Sequence, residues 1–184
     1  MNKWVISVLG QDGPGIVARV ARTLFEMDCN IENVSQTIVQ SEFAGIFIVS
    51  GSGALDEATL RNAMEAALAP LGMRALVKPM IPPREDAAPE PGEPFVVTTR
   101  GPDRKGLVSG ITGVIADHRA NVTNLQAVFE GGDDPNRNIM IYEIDIPASA
   151  DFRSLESDLR EKAGELGIRI SIQHRKVFEA INRV

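Results

Sequence analysis

Residues 10–17 read GQDGPGIV and place three glycines and one proline between two different hydrophobic patterns. The run before them, residues 4–9, is almost wholly apolar and predicts a β-strand. Behind them, apolar residues from Ile16 to Met27 recur at helical spacing. The stretch therefore predicts a tight turn that joins a strand to an amphipathic helix.

The composition of this turn predicts how the helix begins. Asp12 can accept hydrogen bonds from the free N–H groups of the first helical turn, and Pro14 has the fixed φ of a first helical residue. Gly13 and Gly15 lack side chains, so a small ligand can approach the backbone closely. Bare amides at a helix start favour a carboxylate. A tight turn without a ligand has the same composition, and both interpretations stay open at this point.

The rest of the first half completes a six-element pattern. Two β-rich runs, residues 31–39 and 43–50, are separated by three polar residues and predict a hairpin. Asp56 then opens a second predicted helix, which ends at Gly72 because glycine favours the position after a helix. Residues 73–77 predict a last strand. The half is therefore predicted to fold as βαββαβ.

The second half of the chain repeats the first. An offset of 91 residues pairs Gly10 with Gly101, Asp12 with Asp103, Gly15 with Gly106, Asn30 with Asn121 and Asn33 with Asn124. Beyond the hairpin the offset becomes 95, and we attribute the change to a four-residue insertion within residues 131–136, in a predicted hairpin loop. Two such units predict an α+β fold of ferredoxin-like domains, with antiparallel sheets and both helices of each unit on one face.

A proline-rich stretch separates the two halves. Residues 79–94 hold six of the eleven prolines together with four acidic residues, a composition that resists both helix and sheet. We therefore predict a first domain at 1–80, a linker at 81–93 and a second domain at 94–184. The second domain includes a C-terminal extension, whose apolar residues from position 177 onward predict a short amphipathic helix.

The overall composition disfavours several classes of protein. Hydrophobic residues make up 43% and charged residues 24%, which is typical of a packed globular chain. The formal net charge is -6 and neither half carries a basic excess, so direct nucleic-acid binding is not expected. The single cysteine, Cys29, excludes an intrachain disulfide and suits a reducing compartment. Without a signal-peptide pattern or an apolar stretch near about 18 residues, we expect a cytoplasmic protein with no membrane contact.

Matching asparagines begin the second predicted strand of each half, in the sequences NIEN and NVTN. Asn30 and Asn121 stand where the helix joins the strand, and we predict that they cap this joint in a left-handed conformation. Asn33 and Asn124 lie three residues further on, beyond the turn. They are therefore the better candidates for polar contacts with a ligand.

The order of a strand, Asp-Gly-Pro-Gly-Ile, a helix, Asn-Ile-Glu-Asn, a hairpin, a helix and a strand resembles the ACT domain. The tandem pair resembles the repressor-like proteins of the glycine cleavage system, over nearly the whole chain outside the linker. The resemblance implies that an amino acid such as glycine or serine binds where the first turn and helix of one unit meet the second strand of a neighbour. In the first half it points to Asp12, Gly13, Pro14, Gly15, Ile16, Asn30, Ile31 and Asn33. The matching set in the second half is Asp103, Gly106, Leu107, Asn121 and Asn124.

The second unit departs from this pattern, because Arg104 and Lys105 replace one glycine and the proline. Arg104 can pair with a ligand carboxylate, with a partner, or remain solvated, so a working second site is in doubt. No cofactor or metal is expected, since His118 and His174 lie in different predicted elements without a nucleophile or metal-ligand motif.

The resemblance thus implies a non-enzymatic regulator that works through a protein partner. Unpaired sheet edges in units of about 80 residues favour a homodimer. One alternative is an interaction module without a ligand. Another is an enzyme, prompted only by a resemblance to the regulatory portion of formyltetrahydrofolate deformylases, whose catalytic domain this chain does not contain.

Overall fold

The structure is a computed structural model that describes residues 2–81, 90–129 and 138–182. It divides into two compact units, Met1–Pro83 and Arg84–Val184, here called the first and the second unit. Most of the predicted linker and the whole predicted insertion at 131–136 lie outside the described residues. The predicted linker function of residues 81–93 therefore stays a prediction.

The first unit contains one four-stranded antiparallel sheet with strand order β2-β3-β1-β4. Its elements are β1 (Asn2–Gln11), α1 (Ile16–Glu26), β2 (Asn30–Val39), β3 (Glu42–Gly51), α2 (Glu57–Leu68) and β4 (Arg74–Pro79), with a short 3-10 turn at Ala69–Leu71 before the last strand. The order is βαββαβ, as the sequence predicts.

The second unit repeats this topology, with strand order β6-β7-β5-β8. Its elements are β5 (Gly92–Gly101), α3 (Leu107–Asp117), β6 (Asn121–Phe129), β7 (Asn138–Pro147), α4 (Phe152–Glu165), β8 (Arg169–His174) and α5 (Arg175–Asn182). The predicted α+β class with two ferredoxin-like units is therefore confirmed. Helix α5 corresponds to the predicted C-terminal helix and begins two residues earlier than expected.

Alternation along the strands explains why the helices of each unit share one face. In β1 the even-numbered residues Trp4, Ile6 and Val8 are buried against the helices, while their neighbours point to the other face. Leu24 of α1 and Leu60 of α2 are fully buried in the same core. Burial of an aliphatic side chain of this size stabilises a fold by about 1.5–3 kcal/mol, so this stripe fixes the packing of helices on sheet.

The predicted start of the first helix is wrong in detail. Helix α1 begins at Ile16, and Gly15 occupies the N-cap position with a left-handed φ of 93°. Pro14 therefore precedes the helix, and within the described residues no side-chain cap is made at this helix start. The backbone N–H of Asp12 instead donates to the Ser41 carbonyl at 2.7 Å, which ties the turn to the neighbouring hairpin. Glycine takes the left-handed conformation directly before the helix at little cost, whereas the proline ring fixes φ at about −65°.

The predicted left-handed asparagines are also wrong. The left-handed residues at these joints are Asp28, with φ 56°, and Arg119, with φ 59°, whereas Asn30 and Asn121 are the first residues of their strands. The physical reason is a Schellman motif, which needs its left-handed residue directly after the helix C-cap. In the first unit Cys29 N–H donates to the Leu24 carbonyl at 2.9 Å. The chain has thus already turned before the asparagines are reached.

Candidate functional site

The two turns that lead into α1 and α3 have the same backbone geometry. Gly15 and Gly106 precede these helices with φ of 93° and 92°. The first intrahelical bonds run from Arg19 N–H to the Gly15 carbonyl and from Gly110 N–H to the Gly106 carbonyl, each at 2.9 Å. The earlier N–H groups of each helix have no partner within the helix, and they carry its partial positive charge.

A cavity of about 550 Å³ lies beside the second of these turns. It is lined by Asp103, Arg104, Gly106, Leu107, Val108, Ser109, Thr112, Ala127, Asn138 and Met140. Three residues predicted from the sequence, Asp103, Gly106 and Leu107, are therefore brought together at one cavity. The sequence left a working site at the second turn in doubt, and the structure has room for a small molecule beside this turn.

Asn138, the first residue of β7, is the lining residue that sequence reasoning missed. The residue is only 7% exposed, and its amide nitrogen Nδ2 donates to Oδ1 of Asp103 at 3.1 Å. Its own oxygen, Oδ1, is buried without a hydrogen-bond partner in the described structure. The signal in the sequence was a polar residue at the head of a strand whose next three residues are apolar, NIMIYEIDIP, and strand pairing places it opposite Gly101.

Arg104 approaches the turn that follows α4. A Cβ atom added to Gly167 would lie 2.8 Å from Nη2 of Arg104, so the guanidinium rests against the bare backbone of that glycine. Gly167 has a φ of 62°, which favours glycine in any case. The close approach keeps the Arg104 side chain next to the cavity that it lines.

The first unit has a different side chain at the position of Asn138. Phe43 lies opposite Gly10 in the β1–β3 pairing, as Asn138 lies opposite Gly101 in the second unit. The Phe43 ring is 2% exposed and covers Gly45, where an added Cβ would be 2.9 Å from the ring. The first unit therefore carries an apolar ring where the second unit carries an amide.

Within each unit, the predicted asparagines lie far from the turn. Asn30 pairs with Ser50 at one end of β3, whereas Gln11, next to the turn, pairs with Glu42 at the other end. Eight residues of extended strand span about 26 Å. In the second unit, Asn121 is separated from the turn in the same way. One unit alone does not bring the predicted turn residues and asparagines together.

The remaining residues of the predicted site lie in the core or on the sheet. Ile16 is 4% exposed and belongs to the core of the first unit. Ile31 packs against that core from β2. Nδ2 of Asn124 donates to Oε1 of Glu143 at 2.9 Å on the exposed face of the sheet. Asn33 follows a shift in strand register after Ile31, and the same shift recurs before Asn124.

The other side chains that could take part in chemistry make contacts that stabilise the fold. Nε2 of His118 lies 2.8 Å from Oδ2 of Asp158 at the end of α3. Burial, with a smaller effect of neighbouring Asp28, raises the pKa of the Cys29 thiol. In the part of the chain that the structure describes, no cluster of three or more histidine, cysteine or acidic residues is arranged to hold a metal ion. No helix within the described ranges has the length and apolar character needed to cross a membrane.

A larger cavity, of about 850 Å³, lies in the first unit, at the end of β1 opposite its turn. It was not predicted from the sequence. Its lining includes Trp4, Leu55, Asp56 and Met80. Trp4, Leu55 and Met80 give this cavity largely apolar walls. Asp56 is already engaged there as the cap of α2, since its Oδ1 accepts from Thr59 N–H at 2.7 Å.

Comparison with known proteins gives a consistent result for both units. The sequence profile of the ACT domain matches residues 3–78 and again residues 93–173. The glycine cleavage system transcriptional repressor of Escherichia coli strain K12 is 29% identical over 175 residues, which cover 91% of this chain and 87% of the repressor. A UPF0237 protein of Methanocaldococcus jannaschii is 43% identical over 79 residues, or 42% of this chain and 88% of that protein.

A solved structure extends the likeness to the fold of the whole chain. The crystal structure of an unknown protein from Galdieria sulphuraria superposes with a TM-score of 0.75, and the match covers 94% of this chain and 98% of that one. The two sequences are 23% identical, so this likeness supports the tandem fold alone.

Proposed function

The chain belongs to the ACT domain family, and from that membership we propose that it is a non-enzymatic regulatory protein that binds a small amino acid. The family profile matches both βαββαβ units, which together make up most of the chain. Glycine and serine are the ligands that we propose first, because the three glycines of the first turn let a small molecule approach the backbone closely. No cofactor is needed for such a role.

The observation that carries this proposal is the uncapped start of the two turn-following helices. Asp56 and Asp151 cap the starts of α2 and α4, where their carboxylates accept backbone N–H groups at 2.7 and 2.9 Å. At α1 and α3, glycine stands in that position instead, and within the described residues no side-chain cap is made. The helix-start amides there are available to the carboxylate of an amino acid.

The separation of turn and asparagines supports a contribution from a second chain. Because Asn33 and Asn124 lie away from the turn of their own unit, we propose that in a homodimer they approach a turn of the partner subunit. Such a site would couple ligand binding to assembly, since the ligand would contact both chains. A ligand that favours one arrangement shifts the population toward it.

The proposed output is control of amino-acid metabolism, or of its transcription, through a protein partner. The relative in Escherichia coli is a transcriptional repressor of the glycine cleavage system, and its likeness spans both units of this chain. With a formal net charge of -6, this chain lacks the basic excess that phosphate-backbone binding requires. A partner that itself binds nucleic acid would therefore be needed for a transcriptional effect.

A second candidate function, a docking module without a ligand, is favoured by the exposed face of the first sheet. Leu9, Ile46 and Leu76 lie on the face opposite the helices and are 56%, 50% and 62% exposed. Exposed apolar side chains gathered on one face are typical of a surface that binds another protein.

Isothermal titration calorimetry of the full chain against each of the twenty amino acids tests the leading proposal. We expect a small amino acid to bind with a dissociation constant at or below the millimolar range. If none of the twenty binds at millimolar concentration, the docking module becomes the better interpretation. A Gly15→Leu variant separates the two further, because a ligand-free docking protein should still capture its partner when this turn is blocked.

A further inference from the structure

We propose that the cavity of about 850 Å³ in the first unit binds a small uncharged aromatic molecule. This inference goes beyond the proposed function and does not rest on it, because the cavity lies at the end of β1 opposite the turn. Its volume is within the range of about 300–1,000 Å³ that is usual for small-molecule sites. The second unit indicates the class of ligand, since it fills the matching place with its own aromatic side chains.

Strand pairing shows which residues of the two units correspond at this end. Trp4 of β1 pairs with Pro79 of β4, and Phe95 of β5 pairs with His174 of β8 in the same way. The His174 ring meets the Phe95 ring edge-on, and their centroids are 5.2 Å apart. Pro79, by contrast, is exposed and lines the cavity. The first unit thus has an aliphatic residue in place of one ring.

The start of the following helix differs in the same direction. Helices α2 and α4 both begin directly after an aspartate cap, so their first residues, Glu57 and Phe152, correspond. The Phe152 ring stacks on Phe95, with 4.6 Å between the centroids and 25° between the planes. Glu57 lines the cavity, and among the described residues no ring stacks on Trp4. The side chains that fill this end of the second unit are therefore aromatic, and their places border the cavity in the first unit.

The walls of the cavity offer an aromatic ring an apolar surface. Trp4 is only 3% exposed, so it borders the cavity from within the core. Met80 is 39% exposed and Leu55 is half-buried, so a ligand can reach both side chains. The thioether of methionine makes favourable contacts with aromatic rings. These walls match the class of ligand that the second unit indicates.

The charged residues of the lining already have partners. Nζ of Lys3 lies 2.6 Å from Oε2 of Glu32. Oε1 of Glu57 lies 3.2 Å from Nη1 of Arg61, and Oδ1 of Asp56 accepts a backbone N–H of α2 at 2.7 Å. A charged ligand would compete with these partners or leave its charge unpaired beside apolar walls, which is costly. The lining therefore favours a ligand without a formal charge.

Titration of the full chain with benzyl alcohol tests this inference. Trp4 is the only tryptophan, so a proton–nitrogen correlation spectrum contains one indole signal, from a residue that lines the cavity. We expect this signal to shift and to saturate, with a dissociation constant in the millimolar range. Benzoate, which places a carboxylate on the same ring, should bind at least about threefold more weakly.

Glu57→Phe copies the second unit and should weaken the binding of benzyl alcohol at least about tenfold, because the introduced ring takes the place of the ligand. Glu65→Phe is the matched control, since Glu65 is an exposed residue of the same helix outside the cavity lining. Its binding should stay within about twofold of wild type. Equal binding by the two variants overturns the proposal.

The wild-type chain provides a test that does not depend on the folding of the variants. Benzyl alcohol should shift the methyl signals of Leu55 and Met80 in the cavity but not those of Leu9 and Leu76 on the exposed face of the sheet. Shifts of equal size at both places indicate nonspecific apolar binding and overturn the proposal. So does an indole signal that does not move, or one that moves on dilution of the protein alone, because a second copy of the chain then occupies the cavity. Benzyl alcohol has neither an ammonium group nor a carboxylate, so these results do not bear on amino-acid binding at the turns.

Discussion

Gly15 and Gly106 have nearly the same backbone conformation, with φ of 93° and 92°, at matching positions of the two units. Both stand directly before a helix and after the first strand of their unit. An added Cβ would meet no atom within 4 Å at either position, so space does not explain why glycine is present. The left-handed backbone does, because residues with a Cβ atom reach it only at a cost in free energy.

A Gly106→Ala substitution should therefore lower stability although it creates no clash. We expect the free energy of unfolding to fall by about 1–2 kcal/mol, the usual penalty for a left-handed residue that carries a Cβ. Chemical denaturation of the purified chain measures this change.

Gly113→Ala is the control for that experiment. Gly113 lies within α3, and an added Cβ meets no atom within 4 Å there either. Alanine in a helix interior is favoured over glycine, so this variant should gain about 0.5–1 kcal/mol. If both variants change stability in the same direction, the backbone explanation of Gly106 is wrong.

The cap of α2 should make stability depend on pH. The hydrogen bond from the backbone N–H of Thr59 lowers the pKa of Asp56 below its ordinary value. The folded chain then holds the proton on this carboxyl less readily than the unfolded chain does. Its stabilising effect is complete above the ordinary aspartate pKa of about 4 and is lost as the pH falls toward the lowered pKa.

Asp56→Asn isolates this effect, because asparagine also caps helices well but does not titrate. The melting temperature of the wild type should fall relative to that of the variant, by a few degrees, as the pH is lowered from about 6 to about 3. All other carboxyl groups titrate in both proteins and cancel in the comparison. A difference in melting temperature that stays constant over this range contradicts the prediction.

The fold was predictable because hydrophobic patterns and turn residues repeat in the two halves. The runs at 31–39 and 43–50 became β2 and β3 with ends displaced by at most one residue, since the residues between them permit a hairpin. The ACT resemblance then followed from one short motif and its duplication, and the family match in both units confirms it.

The predicted start of α1 was wrong because several residues of the turn compete to set where the helix begins. Asp12 and Pro14 both favour a helix start, but Gly15 takes the left-handed conformation at little cost, and it determines where α1 begins. Asn138 was missed for a different reason. Its position beside the turn arises from strand pairing with Gly101, which lies 37 positions away in the sequence. Patterns within one helix or strand do not contain that information.

On the exposed face of the first sheet, two exposed apolar side chains flank one residue of β1, an arrangement that the second unit lacks. Ile46 of β3 and Leu76 of β4 both pair with Ser7, one on each side, so the three side chains form a line across the sheet. In the second unit the same line ends in Ser171, which pairs with Thr98. Helix α5 also contacts β5 and β8 there, and Nη2 of Arg175 lies 3.3 Å from Oε2 of Glu143. The exposed apolar line is thus a property of the first unit.

We expect the double substitution Ile46→Lys and Leu76→Lys to leave the fold intact and to abolish association through this face, whether the face binds a second copy of the chain or another protein. The two side chains are 50% and 62% exposed, so each change should alter the free energy of unfolding by no more than about 0.5 kcal/mol. Like charges brought together across an apolar interface, by contrast, strongly oppose association. Ser171→Lys places a lysine on the matching line of the second unit and should retain the dimer. Multi-angle light scattering gives the mass of each variant, and a double variant with the mass of a dimer shows that this face does not form the contact between subunits.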